Sequence, residues 1–187
     1  MHVHNVAAQT AAVAAAGLRT AAVRSGGKVL RDGRAWKVGV AELGRGIGRV
    51  EMPSLIEDLG PREVRVPPPT AAQPSGVQGI VGSTLLSDAF KAVAGDLATL
   101  FGPPAESAPR LFGAPRAAVF EFAGCWLELR APVPGESELS AHLARFGAGV
   151  FEVTLGTRGA ARPGDGALPD LVACHEGRLR VAGRGGG

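Results

Sequence analysis

The order of predicted elements between residues 76 and 155 constrains the fold of this chain more than any other feature. Runs of β-branched and aromatic residues alternate with apolar stripes at helical spacing, and glycine or proline separates them. The predicted strands are Val77–Leu85, Ala117–Phe122, Cys125–Arg130 and Val150–Leu155, and the two helices end at Phe101 and Phe146. Strand, helix, hairpin, helix and strand in succession predict an α+β protein.

A proline-rich segment divides the chain. Residues 67–75 contain four prolines and predict an extended connector that joins no central strand. We therefore expect a first domain at 1–66, a second at 76–182 and a disordered glycine tail at 183–187. The first domain begins with an alanine-rich helix at 7–17, and short strands follow it at 21–23, 28–30, 36–40 and 54–56. Ser25-Gly26-Gly27 predicts a turn between the first two of these strands.

Composition narrows the range of partners. The net charge is +3, but the basic residues are spread along the chain instead of gathering on one element, which argues against a nucleic-acid partner. No apolar run reaches the roughly 20 residues of a membrane span. The two cysteines have no CxxC spacing, and the N-terminus lacks the pattern of a signal peptide. These features predict a cytoplasmic protein without a membrane partner.

Four short motifs resemble the glyoxalase/bleomycin-resistance group, the vicinal oxygen chelate superfamily. They are Trp126-Leu127-Glu128-Leu129, Gly147-Ala148-Gly149-Val150-Phe151-Glu152, Arg31-Asp32-Gly33-Arg34 and Met52-Pro53-Ser54-Leu55-Ile56-Glu57. The resemblance implies paired βαβββ modules that form a curved mixed sheet with flanking helices, and a cup in the sheet for a small molecule. Residues 7–57 resemble the end of such a module without its beginning, so the resemblance also implies a chain truncated at its N-terminus.

The resemblance also names candidate site residues. A carboxylate on the last strand of a module corresponds to Glu128. The histidine position after the second helix holds Phe151 or Glu152, and Glu152 is the candidate because it carries a carboxylate. Gln78 is the nearest substitute for a ligand on the first strand, although in another register this position is Gly79 or Val81. If this chain is similar to the metal-dependent members, it would hold a divalent ion (Mn, Fe, Zn or Mg) with Glu128, Glu152 and Gln78. The two glutamates would then be catalytic.

Strand alternation predicts which side chains share a face. Trp126, Glu128 and Arg130 share one face of their strand, and Val150, Glu152 and Thr154 are predicted to share one face of theirs. The resemblance implies an apolar cup, which we expect near Trp126 and the hairpin residues Phe120 and Phe122. His2 and His4 lie in a terminus that is predicted to fray, and they are not counted as metal ligands.

Three functions are compatible with these residues. The first is a protein that binds a small molecule in a sheet-lined cup without chemistry. The second is a divalent-metal-dependent lyase, isomerase or dioxygenase, and the third is a degenerate fragment or interaction scaffold. An incomplete first module would leave apolar surface and open strand edges, so we expect a homodimer.

Overall fold

The computed structural model describes residues 1–44, 51–68, 77–105, 117–122, 124–132, 137–157, 171–174 and 177–182, with backbone alone at 77, 78, 137, 157, 171–174 and 177–182. The chain forms two compact units, Met1–Ala71 and Ala72–Gly187. Their boundary lies within the segment predicted as a connector. Most of that segment and the predicted tail at 183–187 lie outside the described residues.

The first unit is a small sheet with helices. Its described elements are α1 (Val6–Ala15), β1 (Arg24–Val29), β2 (Ala35–Ala41), β3 (Leu55–Asp58) and α2 (Arg62–Arg65). The strands pair antiparallel in the order β1-β2-β3. The side chain of Asn5 caps α1 by accepting a 2.8 Å hydrogen bond from the Ala8 amide. Val6 at the start of this helix packs directly over Gly39 of β2.

The N-terminal residues form an additional strand position in this unit. The Val3 amide donates to the Ile56 carbonyl at 2.8 Å, and the Ile56 amide donates to the Met1 carbonyl at 2.8 Å. His2 pairs with Ile56 in parallel and places its Nε2 3.0 Å from Asp58 Oδ2. The prediction of a frayed terminus was therefore wrong, because backbone pairing and the contact of His2 with Asp58 hold these residues on β3. The segment occupies the first-strand position of a βαβββ order.

One predicted turn is part of a strand. Ser25, Gly26 and Gly27 lie inside β1 and pair with Gly39, Val38 and Lys37 of β2. Local glycine content favours a turn, but the ladder to β2 provides partners for the extended backbone. Gly27 fits because a Cβ at this position would lie 2.6 Å from the Trp36 carbonyl oxygen.

The second unit contains a six-stranded mixed sheet. Its described elements are β4 (Val77–Leu86), α3 (Phe90–Phe101), β5 (Ala117–Phe122), β6 (Cys125–Arg130), α4 (Ser137–Phe146), β7 (Gly149–Thr157), β8 (Leu171–Cys174) and β9 (Gly177–Ala182). The strand order is β5-β6-β4-β7-β9-β8. The α+β class, with a mixed sheet and helices, is therefore confirmed.

The two halves of this sheet have the same pattern of parallel and antiparallel pairs. In one half β4 runs parallel to β6, which pairs antiparallel with β5, and in the other half β7 runs parallel to β9, which pairs antiparallel with β8. The two halves meet where β4 and β7 pair antiparallel. An isolated antiparallel bridge from Ala105 to Val119 adds a further position outside β5. The first half therefore has the order strand, helix, bridge, strand, strand.

The helices of this unit pack through apolar residues on one side of each helix. Val93 and Leu97 of α3 are buried, and Leu139 of α4 packs against Leu86 and Phe151. The N-cap position of α3 is Ala89, and no side chain caps the helix there. Ser87 Oγ instead accepts a 3.1 Å hydrogen bond from the Ala89 amide, so it closes the turn that precedes the helix.

Candidate functional site

Three polar side chains lie side by side in one row across the sheet of the second unit. The row runs from Glu128 on β6 through Thr84 on β4 to Glu152 on β7, since Thr84 pairs with both glutamates in the two ladders. Directly paired residues of adjacent strands share a face of the sheet. The exposed fractions of Glu128, Thr84 and Glu152 are 0%, 0% and 2%. The fold therefore buries two carboxylates and a hydroxyl on one face.

A hydrogen bond links two members of the row. Thr84 Oγ1 donates to Glu128 Oε2 at 3.1 Å. Because adjacent strands lie about 4.8 Å apart, the two glutamate Cα atoms are roughly 10 Å apart, with Thr84 between them. Arg130 follows Glu128 by two residues on the same face of β6 and is also buried. Burial of charged groups costs free energy unless charged or polar partners compensate it. The polar side chains on this face therefore depend on one another or on a ligand for compensation.

A second row lies two residues along the strands from the first. Gly82 of β4 pairs with Trp126 of β6 and with Thr154 of β7. The indole of Trp126 lies against Gly82 so closely that a Cβ on this residue would overlap the ring. Thr154 is buried, and within the described part of the chain its hydroxyl has no hydrogen-bond partner. Trp126, predicted for the cup, therefore lies on the same face as Glu128.

The other two aromatic residues predicted for the cup lie elsewhere. Phe120 pairs with Leu127 and Phe122 with Cys125, so both lie on the face opposite Glu128. Their rings contact Phe101 of α3, with centroid distances of 6.4 and 4.7 Å. The structure therefore places Phe120 and Phe122 in the contact with α3 and does not bring them together with Glu128. One face of this hairpin therefore contacts α3, and the other carries the polar residues Glu128 and Arg130.

A bulge changes the predicted face of Val150. Thr84 pairs with Glu152 and the next residue, Leu85, pairs with Val150, so Phe151 is an extra residue on β7. Glu152 and Thr154 still share a face, as predicted, but Val150 is on the other face and is half exposed. Phe151 instead turns into the core beside Leu86. The bulge thus separates the polar rows from the apolar contact with α4.

Gln78 does not join the row. Its backbone lies on β4 six residues before Thr84, roughly 20 Å away at about 3.3 Å per residue. Within the described ranges, no group of three or more His, Cys, Asp or Glu side chains could hold a metal ion. Glu128 and Glu152 with one neutral hydroxyl do not match the ligand set that the resemblance implies for metal-dependent members. The described residues therefore do not fit that metal centre.

Sequence reasoning missed Thr84, and it placed Thr154 on the face of Glu152 without giving it a part in the site. Both are short polar residues in otherwise apolar strands, and such residues are as common at surface positions of a strand as in a site. Their place beside Glu128, Glu152 and Trp126 depends on which strand pairs with which, and in what register. The one local signal that could have assigned Thr154 to the site was its predicted place on the same face of β7 as Glu152.

No protein-family model matches the chain, and a search of curated proteins finds no match. Among solved structures, the chain is similar to a hypothetical protein from Staphylococcus aureus, with a TM-score of 0.64 and 8% sequence identity. The match covers 96% of this chain and 63% of the other, so this chain spans less than two thirds of that protein. At this identity the likeness shows the fold alone. The described part of the chain contains no helix that is long and apolar enough to cross a membrane.

Proposed function

We propose that this protein binds a small polar molecule at the buried row of Glu128, Thr84 and Glu152, as a glyoxalase-like domain without a metal. The observation that carries the proposal is the burial of two carboxylates on either side of one hydroxyl. Carboxylates accept hydrogen bonds, so the ligand offers hydroxyl or amine donors at this row. Binding pockets commonly combine a few convergent polar groups with apolar walls.

The topology supports membership of the vicinal oxygen chelate superfamily as part of this proposal. The resemblance implies paired βαβββ modules, and the two halves of the six-stranded sheet mirror each other about the pair β4 and β7. The row of Glu128, Thr84 and Glu152 crosses this central pair. A ligand bound there contacts both halves, which is the arrangement expected of a cup formed by paired modules.

A divalent-metal-dependent lyase, isomerase or dioxygenase is the second candidate. It is favoured by Glu128, which occupies the last strand of its half as the resemblance implies for a metal ligand. A carboxylate there suits Mn, Fe, Zn or Mg. Against it, the described residues place only Glu128 and Glu152 as carboxylates in the row, and Gln78 lies far along β4.

Metal analysis separates the two candidates. Protein is purified without added metal, and its metal content is measured before and after incubation with Mn²⁺, Zn²⁺, Fe²⁺ and Mg²⁺ followed by desalting. We expect no ion to remain at one equivalent per chain under either condition. An ion retained at one equivalent by the wild type and lost in Glu128→Gln would contradict the metal-free proposal and favour the enzyme.

Two further properties belong to the proposal. We propose that the protein is cytoplasmic, because Cys125 is an exposed free thiol of the kind that persists in a reducing compartment.

We also propose a homodimer, since all six residues of β1 are exposed and this strand is the edge of its sheet.

A further inference from the structure

We propose that Thr154 is a second ligand-binding residue, and that its hydroxyl binds a neutral hydroxyl group on a ligand with a flat apolar portion. This inference rests on the proposed function and specifies the ligand class. Thr154 lies on β7 two residues from Glu152 and on the same face of the sheet. It therefore lies about 7 Å along the strand from the row of carboxylates.

The hydroxyl of Thr154 is a buried polar group that the described residues leave unpaired. The residue is 1% exposed, and its Oγ1 forms no hydrogen bond within the part of the chain that the structure describes. Folded proteins rarely leave a buried polar atom unsatisfied, because the group loses its bonds to water and gains nothing in return. Thr84, on the adjacent strand and equally buried, has such a partner in Glu128. The difference between the two threonines points to a missing partner at Thr154.

The neighbours of Thr154 indicate the chemistry of that partner. Across Gly82 from Thr154 lies the indole of Trp126, a flat apolar surface suited to an aromatic ring. Along β7 lies Glu152, which accepts hydrogen bonds in its ionised form. A ligand hydroxyl accepts a hydrogen bond from the Thr154 hydroxyl and donates its single proton to Glu152, so one ligand oxygen serves both residues. An ether oxygen in the same position could only accept.

A stability comparison tests whether the hydroxyl is unpaired in the ligand-free protein. Thr154→Val keeps the shape of the side chain and removes the hydroxyl, so the midpoint of thermal unfolding should stay the same or rise. Thr84→Val is the matched control, and it should lower the midpoint by roughly 5 °C because it removes a formed buried hydrogen bond. A similar fall in both variants would show that Thr154 already has a partner, such as a bound water, and would overturn the inference.

A binding experiment tests the ligand class. The chain contains two tryptophans and no tyrosine, so Trp36→Phe leaves Trp126 as the reporter of fluorescence. The probes are benzyl alcohol, which donates and accepts, benzyl methyl ether, which only accepts, and toluene, which does neither. Benzyl alcohol should bind tightest, and Thr154→Val should weaken it by about 3–10-fold while leaving toluene unchanged.

The outcomes separate this inference from the proposed function. If benzyl alcohol changes the fluorescence of Trp126 equally with Thr154 and with Thr154→Val, the proposal that Thr154 binds the ligand is overturned, while the proposed cup remains. If none of the three probes perturbs Trp126 in either background, the cup itself is overturned, and the inference with it.

Discussion

Thr84 on β4 donates a 3.1 Å hydrogen bond to Glu128 on β6, and both side chains are fully buried. The bond crosses between adjacent parallel strands and fixes one carboxylate oxygen at the centre of the sheet. Glu152 approaches Thr84 from the other side, on β7. The register of three strands therefore places these polar side chains at the junction of the two halves of the sheet, and the proposed binding function rests on this arrangement.

Glu128→Gln should weaken ligand binding while leaving the protein folded. The amide keeps the shape of the side chain and can still pair with Thr84, but it removes a buried negative charge. Binding of a hydrogen-bond donor should fall by at least about tenfold, since bonds to a charged acceptor contribute more than bonds to a neutral one. Thermal-shift titration with benzyl alcohol measures the change, and circular dichroism verifies the fold.

Glu63→Gln is the matched control for this prediction. Glu63 lies exposed in α2 of the first unit, and the substitution removes the same charge. It should leave binding unchanged and alter stability by less than about 0.5 kcal/mol. Equal losses of binding in the two variants would assign the effect to net charge and remove Glu128 from the site.

Gly82→Ala should destabilise the second unit and displace Trp126. The added methyl group would overlap the indole, and overpacking of this kind costs about 1–3 kcal/mol. Denaturant unfolding measures the loss, and the emission maximum of Trp126 in the Trp36→Phe background reports the movement of the ring. Gly95→Ala is the control: Gly95 lies exposed within α3 with open space around it, so alanine should stabilise that helix by up to about 1 kcal/mol. Destabilisation by both substitutions would contradict the close packing of Trp126 on Gly82.

The sequence predicts the elements of the second unit better than their arrangement. The bounds of β5 and β6 match the predicted runs, because hydrophobic alternation and an intervening glycine are local signals. Alternation also places Trp126 and Glu128 on one face of β6. The position of Thr84 beside Glu128 is not local, since it depends on the parallel crossover from β4 to β6.

The errors have the same physical origin. Ser25-Gly26-Gly27 predicts a turn from local preference, but pairing with β2 makes it a strand. Phe120 and Phe122 were predicted in the cup as aromatic residues of the hairpin, whereas they lie on the face of the sheet opposite Glu128, in contact with α3. Only the tertiary structure decides which face of a strand pair lines a site.

Asp58 should make the stability of the first unit depend on acidic pH. Hydrogen bonds from Arg65 and Arg62 hold the pKa of this carboxyl well below its ordinary value of 3.8. A depressed folded-state pKa contributes stability that is fully present above the unfolded-state value and is lost as pH falls below it. Asp58→Asn should therefore lower the unfolding midpoint at pH 7 and pH 5, and the difference from wild type should shrink below about pH 3.8. A difference that stays constant down to pH 3 would contradict the ion-pair account.

The exposed edge strand β1 should support self-association. Val29 at its end is 70% exposed, and the strand has a partner on one side only within its sheet. We expect light scattering to give the mass of a dimer at tens of micromolar, an order-of-magnitude range for a weak interface. Val29→Lys places a charge on the edge and should shift the protein toward monomer. A wild type that is monomeric over the whole range would contradict the homodimer.

Methyl NMR of threonine tests the central claim most directly, because Thr84 and Thr154 lie in the two polar rows while Thr10 and Thr99 lie on α1 and α3. Protein labelled at threonine methyl groups is titrated with benzyl alcohol and, separately, with the small-molecule fraction of a bacterial cell extract. We predict that the Thr84 and Thr154 signals shift together and saturate, that the Thr10 and Thr99 signals stay fixed, and that Glu128→Gln reduces the shifts. Signals of Thr84 and Thr154 that stay fixed in both titrations would contradict a binding site at the row of Glu128, Thr84 and Glu152.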